Sequence, residues 1–405
     1  MSRRNPGSVR ASRPKLAVLL AVGVGVPLLA LGGFFILRDD PPPAPTGALE
    51  LHPVAGSFKP DDTKVAECSP GEGDEARCLE QAYGNLSYDE GPKRALAAFT
   101  PDMAAGGAAE TDCHRIVHTI GSAALARYDG DVGRAFTEGD ATCWSGYYHG
   151  ILERALIGAK NDSELRAAVR GICEEIVATA TPYIAYQCVH GIGHGLMIQT
   201  GLALDRSLQG CEGLSTPWEQ TSCDGGVFME NFNTSYGVKS PYLRDDDPVY
   251  PCNTVAERHK LYCYLQITDH VLPSTKYDWH RTSTWCTRSE ARWRATCFQS
   301  FGRSVSGTSR GDVPRLVSLC SIPSPRDRGD CVYGVARDLV SQDAGATRAA
   351  GFCRAAPERG RCFDGIGTIL ATLSTDPTAT RAACSKAGAA AARDRAACLR
   401  GAGVA

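Results

Sequence analysis

The sequence predicts an all-α protein: an array of disulfide-stapled helical hairpins, packed as a solenoid or a compact α–α bundle, behind one N-terminal transmembrane helix. Three observations carry this expectation. Eighteen cysteines are spread evenly between Cys68 and Cys398. The segments after alternate cysteines place apolar residues three and four apart, the period of a one-sided helix. No segment sustains the two-residue alternation of a half-buried strand or offers an Asn-Gly hairpin turn.

In chain order, residues 1–15 form a basic tail containing Arg3, Arg4, Arg10, Arg13 and Lys15. Residues 16–37 are an uncharged apolar run, long enough at ~1.5 Å per residue to cross a ~30 Å hydrocarbon core. Basic residues precede the run, and Arg38-Asp39-Asp40 follows it, so the tail is expected in the cytoplasm and the rest outside it. Residues 38–62 are rich in Pro and Asp and read as an extended spacer. The folded region then divides into a histidine-containing part, 63–240, and a further cysteine-paired part, 241–405. The expected location is therefore the cell membrane, crossed once, with the folded region extracytoplasmic. Predominance of Arg over Lys, with abundant Ala and Gly, reads as the bias of a GC-rich bacterial genome.

Within the folded region the pattern repeats. Cys188-Val-His-Gly-Ile-Gly, Cys297-Phe-Gln-Ser-Phe-Gly, Cys331-Val-Tyr-Gly-Val and Cys362-Phe-Asp-Gly-Ile-Gly each open a helical stretch, and the period runs from the low thirties to about forty residues. Val332, Val335, Leu339 and Val340 mark one buried face. A shorter helix precedes each of several such stretches. Asp312-Val-Pro and Asp376-Pro place a capping carboxylate and a first-turn proline at two of them.

The cysteine spacing predicts bonds between sequence neighbours: Cys68–Cys78, Cys113–Cys143, Cys173–Cys188, Cys211–Cys223, Cys252–Cys263, Cys286–Cys297, Cys320–Cys331, Cys353–Cys362 and Cys384–Cys398. None stands in a C-x-x-C knuckle, so oxidised pairs in an oxidising compartment are favoured over metal thiolates.

A net charge of −2 gives no basic field for nucleic acid, and no nucleic-acid partner is expected. There is no phosphate-binding glycine loop and no H-E-x-x-H. The candidate chemistry lies in histidine. Five of the nine fall in three successive expected helices, as His114-x-x-x-His118, His149-x-x-x-Glu153 and His190-x-x-x-His194. Residues four apart share a helix face, so each pair can approach one ion. Stacked in register, the three pairs would converge and offer N and O ligands to one or two ions such as Zn, Cu or Fe. This ligand spacing resembles that of di-iron helical bundles such as hemerythrin.

Gly150, Gly191, Gly193 and Gly195 would let neighbouring helices approach. Tyr147, Tyr148, Tyr183 and Tyr186 are candidates for hydrogen bonds to the ligands. Glu153 and Glu230 are candidate general bases for a metal-dependent hydrolase, and a redox ion would instead make an oxidase. The alternatives are tightly packed structural histidines, in a rigid scaffold that binds a peptide, a glycan or a partner protein. His259, His270 and His280 share no register with the cluster.

Overall fold

The structure is a computed structural model. It describes residues 57–405, except 69–73, 141, 158, 160 and 234–238. The basic tail, the apolar run 16–37 and the spacer as far as residue 56 lie outside the described residues. Among those described there is no strand, and no helix is long and apolar enough to cross a membrane.

Helices start where the sequence supplies caps. Asp312 accepts the backbone N–H of Arg315, with Pro314 in the first turn. Asp376 accepts from Thr378 and Ala379 ahead of Pro377. Thr216 and Glu219 form a reciprocal capping box. Each of these caps satisfies N–H groups that a helix leaves without an internal partner.

An inner series of helices packs in chain order: α1 (Glu75–Glu90), α2 (Cys113–Arg127), α3 (Thr142–Ala155), α4 (Pro182–Gln199), α5 (Pro217–Phe232), the broken pair α6 (Lys260–Gln266) and α7 (Thr268–Ser274), α8 (Arg294–Ser309), α9 (Arg328–Asp343), α10 (Arg359–Leu370) and α11 (Ala392–Gly401). Consecutive members pack side by side. Further helices such as Leu204–Glu212, Val313–Cys320 and Pro377–Ala387 lie between them in sequence. On α9, Val332, Val335, Leu339 and Val340 are all fully buried, so the helical period read from the sequence is the one that meets the core.

Nine disulfides tie the framework, each between cysteines adjacent in the cysteine order, from Cys68–Cys78 to Cys384–Cys398. Most join a short helix, or the loop before an inner helix, to the first turns of that inner helix. Cys113–Cys143 instead links the starts of α2 and α3 directly.

Glycine sets how near the inner helices lie. A Cβ built on Gly150 of α3 would fall 1.9 Å from the backbone oxygen of His118 on α2, and one on Gly121 of α2 would fall 2.0 Å from that of Tyr147 on α3. The same reciprocal contact recurs between α4 and α5, through Gly193 and Gly226.

The series also returns on itself. The amide of Tyr183, at the start of α4, donates to Thr372 O beyond α10 (2.9 Å). The Tyr183 hydroxyl donates to Ser341 O of α9 (3.1 Å), and Arg310 pairs with Glu110 at 2.8 Å. All the described helices therefore belong to one compact unit, and α8 and α9 face the histidine-bearing helices.

Candidate metal centre

The three sequence motifs come together. His114 and His118 project from α2, His149 and Glu153 from α3, and His190 and His194 from α4, while α5 adds Glu230. His114 is half-buried; the other six are each no more than 5 % exposed. Ring centroids of His149 lie 5.4 Å from His114, 5.5 Å from His118, 5.0 Å from His190 and 4.7 Å from His194. Three sets of ligand atoms each fit within 4.8 Å: His114, His118 and His149; His149, His190 and His194; and Glu153, His194 and Glu230. These buried His and Glu clusters could hold a metal.

Each imidazole has one nitrogen engaged on the protein side. His114 Nδ1 donates to the carbonyl of Cys143 (2.7 Å). His118 Nδ1 lies 2.7 Å from Glu153 Oε1, and His194 Nδ1 lies 2.9 Å from Glu230 Oε2. Carbonyl and carboxylate oxygens only accept, so these three rings carry their proton on Nδ1 and hold Nε2 inward. The Tyr186 hydroxyl sits 3.1 Å from His190 Nδ1. His149 Nε2 donates to Gln187 Oε1 (3.2 Å), which leaves His149 Nδ1 buried with no hydrogen-bond partner.

On the inner side the nitrogens face one another. His114 Nε2 and His118 Nε2 are 3.0 Å apart, and His190 Nε2 and His194 Nε2 are 3.3 Å apart. Two nitrogens bound at ~2.0–2.1 Å to a tetrahedral ion would be about 3.3 Å apart. Both pairs therefore already stand at ligand separation. With Nδ1 of both His114 and His118 committed as donors, their Nε2 atoms can stay this close only around a shared proton or a metal ion, whereas His190 can donate Nε2–H to His194 when the Tyr186 hydroxyl donates to its Nδ1.

The electrostatics follow from burial and from the two carboxylates. Burial, with His118 beside it, holds His114 down to about 3. Burial and the surrounding imidazoles also keep His149 and His190 well below the ordinary histidine value. Neutral imidazole is the form that binds metal. Burial opposes charge on His118 as well, but Glu153 outweighs it and lifts this one ring above its ordinary value. Burial opposes the charge of Glu153, yet His118 outweighs that and brings the carboxyl down to about 2.

The local backbone is bent to serve the cluster. Cys143, Trp144 and Ser145 all take left-handed conformations, with φ of 50°, 56° and 62°, before α3 becomes regular at Gly146. Such a conformation costs a non-glycine residue roughly 1–3 kcal/mol. Three contacts hold the turn: the bond to Cys113, the His114 hydrogen bond to Cys143 O, and a 2.7 Å hydrogen bond between Ser145 and Tyr183.

Two cavities flank the centre. One of about 280 Å³ reaches His149 and His190, and one of about 580 Å³ reaches His114, His118 and His194. Trp144, Met229, Arg303 and Asp338 line both.

Of the expected supporting tyrosines, Tyr186 reaches a cluster histidine and Tyr183 braces the turn before α3. Tyr147 and Tyr148 do neither: the Tyr147 hydroxyl donates to Ala135 O (2.7 Å), and Tyr148 packs on Phe136. They flank His149 in sequence but leave the helix on its other face, toward the core. Glu153 and Glu230, expected as a ligand and as bases, both lie against histidine Nδ1 atoms. Among the described residues the other three histidines stay apart: His259 lies between Asp224 and Glu212, His270 approaches Arg244 O, and His280 is exposed.

Gln187, Arg303 and Arg337 also border the centre and carry no local signal in the sequence. Gln187 is three residues before His190, but nothing local couples it to His149, 38 residues away. The arginines belong to helices more than a hundred residues downstream. No family model, no curated protein and no solved structure matches this chain.

Proposed function

We propose that this chain is a membrane-anchored, extracytoplasmic helical-repeat metalloprotein, whose five clustered histidines bind one or two transition-metal ions for hydrolytic or oxidative chemistry. One observation carries the reading. Imidazoles from three helices turn nitrogens toward one another at ligand separation, while their other nitrogens are held from behind by Cys143 O, Glu153, Gln187, Tyr186 and Glu230. Such backing fixes the tautomer and raises ligand basicity.

His114 with His118, and His190 with His194, are the two primary pairs, and His149 stands between them. Glu153 and Glu230 act as positioning residues for His118 and His194. An ion held here would polarise a bound oxygen or exchange electrons with a substrate, and the flanking cavities give access from two sides. Nitrogen ligands suit Zn, Cu or Fe.

The membrane and repeat parts of the proposal rest on the apolar run 16–37, the recurrent cysteine period and nine disulfides, which persist in oxidising compartments. Alkaline extraction of membranes tests the anchor: an anchored chain stays in the pellet, and release into the supernatant contradicts it.

Elemental analysis of the purified full chain, after exposure to Zn, Cu and Fe salts and desalting, tests the centre. The expected result is about one to two equivalents of one ion, lost in the His190→Ala/His194→Ala variant while the helical circular dichroism persists. Less than about one equivalent with every ion contradicts the reading.

A further inference from the structure

The smaller cavity differs from its neighbour in what it lacks. Arg303 borders both cavities and is already engaged, 3.3 Å from Asp269 and 3.9 Å from Asp338. Arg337 borders only the smaller one, and its Nε is buried without a hydrogen-bond partner. Among the described residues no carboxylate lies within ion-pairing distance of it. A guanidinium in a cavity wall with an unmet donor calls for an acceptor from outside the chain, and an anion answers it best.

Aromatic rings form one part of the wall, beside the amides of Gln187, Gln266 and Gln299 and the carboxylate of Asp338, which already faces Arg303. Tyr186 and Tyr262 stack with ring centroids 6.2 Å apart and planes 24° apart, and Trp144 lines the same space. Planar faces of this kind favour a flat ring over an aliphatic chain. At about 280 Å³ the cavity stands at the small end of ligand sites, which run ~300–1,000 Å³, so it suits a single ring with one substituent. His149 and His190 also line the cavity, which places any occupant beside the clustered nitrogens.

We infer that this cavity binds a small aromatic anion, a single ring bearing one carboxylate or phosphate, with Arg337 taking the anionic group. The inference deepens the proposed function by naming the substrate class of that centre, and it rests on that reading only for the chemistry, not for the binding.

Calorimetric titration of the full chain with benzoate, phenyl phosphate, benzyl alcohol and acetate tests it, on metal-loaded and chelator-treated protein in parallel. At least one of the two aromatic anions should bind saturably. Benzyl alcohol, which lacks the charge, and acetate, which lacks the ring, should each bind at least about tenfold more weakly. Arg337→Gln should weaken the aromatic anion by roughly ten- to a hundredfold, the scale of one lost charge-assisted hydrogen bond, and Arg337→Lys should weaken it less. Equal binding of benzyl alcohol on the unaltered chain overturns the inference without any variant, as does an Arg337→Gln chain that binds unchanged. Metal retention with no aromatic-anion binding sinks this inference alone. Arg337-dependent binding by protein that takes up no metal sinks the metal centre and leaves the pocket standing.

Discussion

Gly150 of α3 lies directly against the carbonyl oxygen of His118 on α2, and a single added methyl would fall 1.9 Å from that oxygen. The contact draws together the helices that carry two of the clustered histidines. Gly150→Ala is therefore expected to force the helices apart and lower stability by about 1–3 kcal/mol. Gly226→Ala, against the His190 oxygen, should behave alike. Both should weaken metal binding. Gly171→Ala, where an added methyl meets nothing within 4 Å, should leave stability and metal binding unchanged or slightly improved. Thermal unfolding of the three variants, with metal content measured beside it, checks the contrast.

Glu153 and Glu230 each lie against a histidine Nδ1, and with His194 they also form the third set of ligand atoms. Replacement by Gln removes the charge and keeps the shape. Glu153→Gln and Glu230→Gln should each lower metal affinity about 10–100-fold, as measured by competition with a chelator, with the fold intact. Unchanged affinity in both would remove them from any positioning role.

The disulfides differ in what they support. Cys188 is two residues before His190, whereas Cys384–Cys398 closes the far end of the series. Removing either bond should cost about 2–4 kcal/mol. Only Cys173→Ser/Cys188→Ser should also weaken metal binding; Cys384→Ser/Cys398→Ser should not. Denaturant midpoints and metal titrations on the two double variants separate the effects.

Away from the centre, His259 places Nδ1 2.7 Å from Asp224 and Nε2 3.1 Å from Glu212. Burial opposes its charge, but the two carboxylates outweigh it and raise this imidazole above the ordinary value. A raised folded-state value stabilises fully below the unfolded value of about 6.5, and that stabilisation fades as pH rises through the folded-state value. His259→Gln should therefore lower the melting temperature more at pH 6 than at pH 9. An equal loss at both would show that the imidazolium contributes nothing.

Local order was legible in the chain. The caps at Asp312 and Asp376, the buried face through Val332, Val335 and Leu339, and the short cysteine intervals all follow from spacing along one segment. The H-x-x-x-H pairs were legible for the same reason, since four residues make about one turn. What lay beyond reading was set through space. The hydrogen bond from Tyr183 to Ser341 spans 158 residues, and it helps bring Arg303 and Arg337 to the histidines. The left-handed run at Cys143, Trp144 and Ser145 was equally hidden, because none of the three is a residue that favours that conformation. Tyr147 and Tyr148 show the converse limit: nearness in sequence to His149 suggested a supporting role, but helix geometry turns them to the core.

The central claim is that imidazole nitrogens surround an ion, and X-ray absorption at the metal edge of the zinc-loaded full chain reads that directly. The expected spectrum shows a nitrogen shell at ~2.0–2.1 Å with the outer scattering of imidazole rings and no sulfur near ~2.3 Å. Loss of the imidazole scattering should accompany His190→Ala/His194→Ala. An oxygen shell with no imidazole signature, or a spectrum that this variant leaves unchanged, would contradict it.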